Sequence, residues 1–101
     1  MLRHVVLFTW TPEATQDQRR AVAAELRKLP GLIPELRGYD VGPDAGINQG
    51  NHDFAVVADF ADRAGYLAYR DHPAHRAVID QHITPIVSAR AAVQYETGTN
   101  L

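Results

Sequence analysis

From His52 to Phe60 the chain alternates cleanly, with Phe54, Val56, Ala58 and Phe60 on one face of a strand and Asp53, Ala55, Val57 and Asp59 on the other. The first face is wholly apolar and the second carries Ala55 and Val57 between two aspartates. Such a strand must be covered from both sides. Arg3 to Trp10 makes the same demand. His4, Val6, Phe8 and Trp10 face one way and Val5, Leu7 and Thr9 the other, and both sets are largely apolar. Whatever fold forms, two layers have to close over these strands.

Between them the sequence supplies a helix. Thr11-Pro12 breaks the first strand, and Thr15 with Gln18 three residues on reads as a capping box. The helix is expected to run to about Leu29, with Val22, Ala23, Leu26 and Leu29 inward and Arg19, Arg20, Glu25 and Lys28 mostly outward. Pro30-Gly31 ends it, and a short strand is expected over Gly38–Gly42. Gly46, Asn48, Gly50 and Asn51 mark a surface loop; without a Lys-Ser/Thr pair or a following helix, its glycines make no phosphate cradle. Asp62 is placed to cap a second helix carrying Tyr66, Leu67 and Tyr69. Pro73 should break that helix near Asp71 and start another, striped by His75, Val78, Ile79, His82, Ile83 and Ile86, which Pro85 closes or bends. Ser88 to Glu96 alternates again as a last strand.

The order β-α-β-β-α-β is most simply an α+β, ferredoxin-like fold: a four-stranded antiparallel sheet with its helices on one face. The other face would then expose Val5, Leu7, Ala55 and Val57, too much apolar surface for a monomer. A second copy pairing sheet to sheet, a homodimeric α/β barrel, is the expected cover. Residues 1–97 should form one domain, with 98–101 a short polar tail.

Composition narrows the function. A formal charge of −2 gives no reason to expect nucleic acid or an anionic membrane as partner. The absence of cysteine removes disulfides, thiol nucleophiles and thiolate metal sites, and suits a reducing cytoplasm. The apolar run at the N-terminus is too short for a signal peptide, so a cytoplasmic location is expected.

Chemistry concentrates at Tyr69-Arg70-Asp71-His72-Pro73-Ala74-His75. The bend at Pro73 can aim Tyr69 and His75 into one pocket, which a six-residue spacing on one helix would forbid. A near-neutral histidine can take a proton beside a carbonyl, and a phenol can hydrogen-bond the resulting oxyanion. The same residues also read as a core phenol and a histidine satisfied on a helix face. His72, just before the proline, reads as a helix cap or a supporting partner. His72 and His75 are separated by only two residues around a proline, with no carboxylate on a clean helical face with them, so no metal site is expected.

With these elements in place, the sequence resembles the stress-responsive dimeric α/β-barrel (Dabb) family. The resemblance rests on His4-Val5-Val6-Leu7-Phe8, on the strand Asp53–Phe60, on Tyr66-Leu67-Ala68-Tyr69 with His72-Pro73-Ala74-His75, and on Val93-Gln94-Tyr95. It implies chemistry like that of the plant polyketide cyclase that forms olivetolic acid, an aldol closure without metal or organic cofactor. By that resemblance Tyr69 and His75 match the catalytic pair. His4, Val6, Phe8, Val22, Leu26 and Val56 match cavity-lining positions, and His72 joins the substrate-binding set. Larger aromatics stand at the corresponding helix positions of the plant enzyme, which leaves pocket size and substrate open. Three classes follow: a cofactor-free cyclase or lyase acting on a small hydrophobic or aromatic carbonyl compound, a cofactor-independent monooxygenase of related fold, and a non-catalytic ligand-binding or stress-response dimer.

Overall fold

Strand β1 (Leu2–Trp10) runs through the middle of a four-stranded sheet, between β3 (Phe54–Phe60) and β4 (Val87–Glu96), with β2 (Gly38–Pro43) on the far side of β3. Every neighbouring pair is antiparallel. In this computed structural model, which describes residues 1–98, three α-helices accompany the sheet: α1 (Gln16–Leu26), α2 (Arg63–Asp71) and α3 (Pro73–Val78). A 3-10 turn, Leu29–Gly31, follows α1, and a π turn, Ile79–Ile83, continues α3. This is the expected β-α-β-β-α-β order with its second helical region broken at Pro73. Of the expected tail, residues 99–101 lie outside the described residues.

The register explains the core. Val6 lies opposite Val56, Phe8 opposite Phe54 and His4 opposite Ala58, so one face of the central strands becomes a continuous apolar surface. Val22, Leu26, Leu29, Ile33, Tyr69, Val78, Ile83 and Ile86 close over it. On the reverse face Val5 pairs with Val57 and Leu7 with Ala55, and all four are only half-buried. Val93 and Ala91 extend that patch from β4, where Val93 is 54% exposed. Arg3 and Asp59, cross-strand partners, form a two-pronged ion pair at its rim, 2.7 and 3.0 Å. Thr9 Oγ1 and His52 Nδ1 share a hydrogen bond of 2.8 Å on the same face.

Local chemistry sets the element ends. Thr15 and Gln18 form the capping box: Gln18 N–H donates to Thr15 Oγ1 at 3.1 Å, and Thr15 N–H donates to Gln18 Oε1 at 2.9 Å. The Asp62 carboxylate accepts from Gly65 N–H. Helix α1 ends at Leu26 rather than near Leu29, because Pro30 has no N–H to continue the ladder and the chain tightens into the 3-10 turn. Strand β3 starts at Phe54 rather than His52. The Asp53 carboxylate turns back to accept from Trp10 N–H at 2.8 Å. Gly46 and Gly50 take φ of +76° and +84° in the intervening loop, a conformation that suits residues without a Cβ. Among the described residues no helix is long and apolar enough to cross a membrane.

Phe60 is fully buried and packs edge-on against the rings of Tyr66 and Tyr69. Phe60→Ala should cost about 3–5 kcal/mol, read by chemical denaturation, whereas Leu32→Ala at an exposed position should stay within about 0.5 kcal/mol.

Candidate functional site

The site begins with a hydrogen bond that a proline prevents. Helix α2 stops at Asp71, and His72 is extended (ψ 134°), as the residue before a proline prefers. In an uninterrupted helix the N–H of Ala74 would donate to the carbonyl of Arg70. Here it donates to His72 Nδ1 instead, at 3.0 Å, so His72 caps α3 as its sequence position suggested. The Arg70 carbonyl is left over, and His75 Nδ1 lies 3.1 Å from it. A carbonyl can only accept, so Nδ1 carries the proton and Nε2 keeps a free lone pair. Burial, the largest influence, lowers the His75 pKa, keeping the ring neutral near pH 7.

Tyr69, from α2, sets its ring 4.0 Å from that of His75, centroid to centroid. Its hydroxyl lies 3.2 Å from the hydroxyl of Tyr39 on β2. Burial raises the Tyr69 pKa and pushes Tyr39 up to about 12, so both stay protonated. If Tyr39 donates, Tyr69 keeps its own proton for a third partner. The two phenols thus form a short relay.

His4, from β1, is 5% exposed and its ring lies 4.9 Å from that of Tyr66, centroid to centroid, tilted by 47°. Burial, with smaller contributions from Arg90 and His75, lowers its pKa to about 4. Gln94 on β4 places its amide Nε2 2.7 Å from His4 Nδ1. With that amide nitrogen donating, the neutral His4 ring bears its proton on Nε2. Two neutral imidazoles of opposite character thus share one place: His75 with a free lone pair on Nε2, His4 with an N–H.

These groups line a cavity of about 320 Å³ between the sheet and the helices. Seven expected positions border it: His4, Val6, Phe8, Leu26, Val56, Tyr69 and His75. Val22 does not; it is fully buried in the core beneath α1. His72 does not line it either, its ring being spent on the helix cap. Tyr66, a core or pocket-wall aromatic by its sequence, stands on the wall, and sequence reading missed Arg70, Arg76, Ile79, Ile83 and Arg90 there, and Tyr39 and Gln94 as hydrogen-bond partners of its ring groups. Ile79 and Ile83 stand in the same helical stripe as His75 and could have been read from it. Arg90 and Gln94 become visible only once β4 is in register, opposite Phe8 and His4. A larger groove of about 680 Å³ lies elsewhere, between α1 and the loop after β2, but among the described residues no histidine, tyrosine or hydroxyl lines it, so the smaller cavity is the better candidate for acid–base chemistry. Among the described residues, no three or more His, Cys, Asp or Glu side chains gather to hold a metal ion.

Comparison with known proteins agrees with this architecture. Residues 2–97 match the model of the Stress Responsive A/B Barrel Domain family, Dabb. The chain belongs to this family. A dimeric ferredoxin-like protein of unknown function from Thermobifida fusca is 48% identical, with 93% of this chain and 88% of that one aligned at a TM-score of 0.87. An uncharacterised protein of Streptomyces coelicolor is 32% identical over 79 residues, 76% of this chain and 81% of the relative. A hydroxynitrile lyase from Passiflora edulis shares the fold at a TM-score of 0.84, covering 99% of this chain and 96% of that one, with 19% identity. The ferredoxin-like Dabb fold expected from the sequence is therefore the fold of this chain.

The depressed His4 pKa gives this Dabb domain a defined acid sensitivity. The folded ring takes a proton near pH 4, the unfolded one near 6.5, so the unfolded state binds more protons between these values. Stability is thus full above about 6.5 and is lost as pH falls, by about 3 kcal/mol from this residue. His75 acts in the same direction. In urea unfolding at pH 7 and pH 4.5, His4→Gln should lose less stability on acidification than wild type; equal losses would show that His4 is not the source.

Proposed function

We propose that this Dabb protein is a cofactor-free enzyme of the cyclase or lyase type, acting on a small hydrophobic or aromatic carbonyl compound. The observation that carries the reading is the His75 ring, with Nδ1 tied to the Arg70 carbonyl and Nε2 left as a base beside the buried Tyr69 phenol. His75 Nε2 takes a proton from the carbon next to a carbonyl. The C–H electron pair becomes the enolate, whose oxygen accepts hydrogen bonds from the Tyr69 hydroxyl and the His4 Nε2–H. When that carbon attacks a second carbonyl, a C–C bond forms and the alkoxide recovers the proton from His75. Run in reverse, the same steps cleave a C–C bond.

A panel of ketones and β-keto thioesters in deuterated water tests this, with α-proton exchange followed by NMR. Wild type should accelerate exchange for at least one member. His75→Ala should abolish it, and Tyr69→Phe should slow it about ten- to a hundredfold, equivalent to about 1–3 kcal/mol of lost oxyanion stabilisation. Unchanged exchange in both variants would reject the assignment.

A second reading, a ligand-binding dimer without turnover, is favoured by one observation: Tyr69 is only 2% exposed and its hydroxyl already has Tyr39 as partner. Exchange catalysis by no member of the panel, with saturable binding in the cavity, would select it.

In either case the active form is a homodimer joined through the helix-free face of the sheet. Val5, Leu7, Ala55, Val57 and Val93 form its apolar centre, and the Arg3–Asp59 pair and Thr9–His52 contact a polar rim. Sedimentation at micromolar concentration should give a dimer for wild type. Val57→Glu should give a monomer or an unfolded chain, because it puts unpaired charges between two sheets.

A further inference from the structure

The cavity has a charge pattern that proton transfer at a neutral ketone does not require. Three arginines border it, one from each of three elements: Arg70 from α2, Arg76 from α3 and Arg90 from β4. Among the described residues no aspartate or glutamate does. Arg70 is neutralised by a two-pronged pair with Asp71, at 2.9 and 3.0 Å. Arg76 and Arg90 have no hydrogen-bonded or ion-paired partner among the described residues; Arg76 acts on the Asp71 carboxylate only through its charge, and Arg70 already holds that carboxylate. The two guanidiniums, both exposed, lie close enough to buried His4 and half-buried His75 to oppose their protonation, Arg90 at His4 and Arg76 at His75. The chain as a whole carries −2, so this concentration of positive charge runs against its average. Two unpaired guanidiniums around a pocket walled by Val6, Phe8, Leu26, Val56, Ile79 and Ile83 complement one kind of molecule, an apolar body bearing one anionic group.

We infer that the substrate is a carboxylate-bearing carbonyl compound, an oxo acid with an aliphatic or aromatic body, whose carboxylate is held by Arg90 and Arg76 while the reacting carbon lies over His75. This deepens the reading under Proposed function and rests on it. At about 320 Å³ the cavity lies near the lower end of the range for ligand pockets, roughly 300–1,000 Å³, which limits the body to about a single ring or a short chain. A planar carboxylate accepts two parallel N–H bonds from one guanidinium, so the arginines fix its orientation as well as its charge.

The test uses two unreactive probes of equal shape, 3-phenylpropanoate and 3-phenylpropanamide, titrated into wild type with the histidine ring nitrogens followed by NMR. The carboxylate should bind about tenfold or more tightly than the amide, the scale expected for charge-assisted hydrogen bonds at a partly exposed site. Arg90→Gln and Arg76→Gln should each shrink that ratio severalfold without changing amide affinity. Arg20→Gln, in the distant groove, should leave it intact. Inorganic phosphate should compete weakly, because it lacks the apolar body. Equal affinity for the two probes, a preference surviving both substitutions, or no saturable shift of either histidine would overturn the inference. Its failure is distinguishable from that of the enzyme reading: α-proton exchange of neutral ketones lost in His75→Ala, alongside equal probe affinities, would keep the base and reject the carboxylate.

Discussion

A missing N–H at residue 73 governs the chemistry of this molecule. Because Pro73 cannot donate, and because its ring holds His72 extended, the helical ladder changes partners over three residues. His72 takes the Ala74 N–H, and the Arg70 carbonyl takes His75 Nδ1. The proton on the second histidine is thus positioned by backbone geometry rather than by a carboxylate. A helix break is ordinarily a cost in unsatisfied backbone groups. Here two imidazoles satisfy them, and one emerges with its outer nitrogen unprotonated.

The sheet supplies what the break cannot. Its central strand carries His4 in the same alternation that carries Val6, Phe8 and Trp10, so a polar ring is set into an apolar surface and kept neutral by burial. Gln94, ninety residues away, reaches it only because β4 pairs with β1 in a register that sets the two opposite. Tyr39 meets Tyr69 from the other edge of the sheet. Each reactive side chain thus has a partner on a different element.

The fold could be read from the chain because its signals are local. The alternation of Phe54 to Phe60, the Thr15–Gln18 box, the Asp62 cap and Pro73 each act within a few residues, and each stands where expected. The facing of Tyr69 and His75 was legible for the same reason. Of the misplaced boundaries, the end of α1 has a local cause in Pro30 and the start of β3 a non-local one, since the Asp53 carboxylate turns to Trp10 across the sheet. Val22 fits the inward stripe of α1 whether that stripe meets a cavity or solid core, and periodicity cannot separate these outcomes. His72 shows the converse, since a cap and a pocket wall make the same demand on the sequence. Tyr39, Arg90 and Gln94 could not be found at all without the pairing of β2 and β4.

The cavity draws its reactive groups and its shape from different parts of the chain. The tautomer of His75 is set within Arg70 to His75, by local bonds to the backbone. The walls come from Leu26 on α1, Val56 on β3 and the π turn with Ile79 and Ile83, side chains that make none of those bonds. Substitution on the walls can therefore reshape what the pocket admits while the proton stays where it is. A lineage built on this plan can change its ligands many times over without having to reinvent its base.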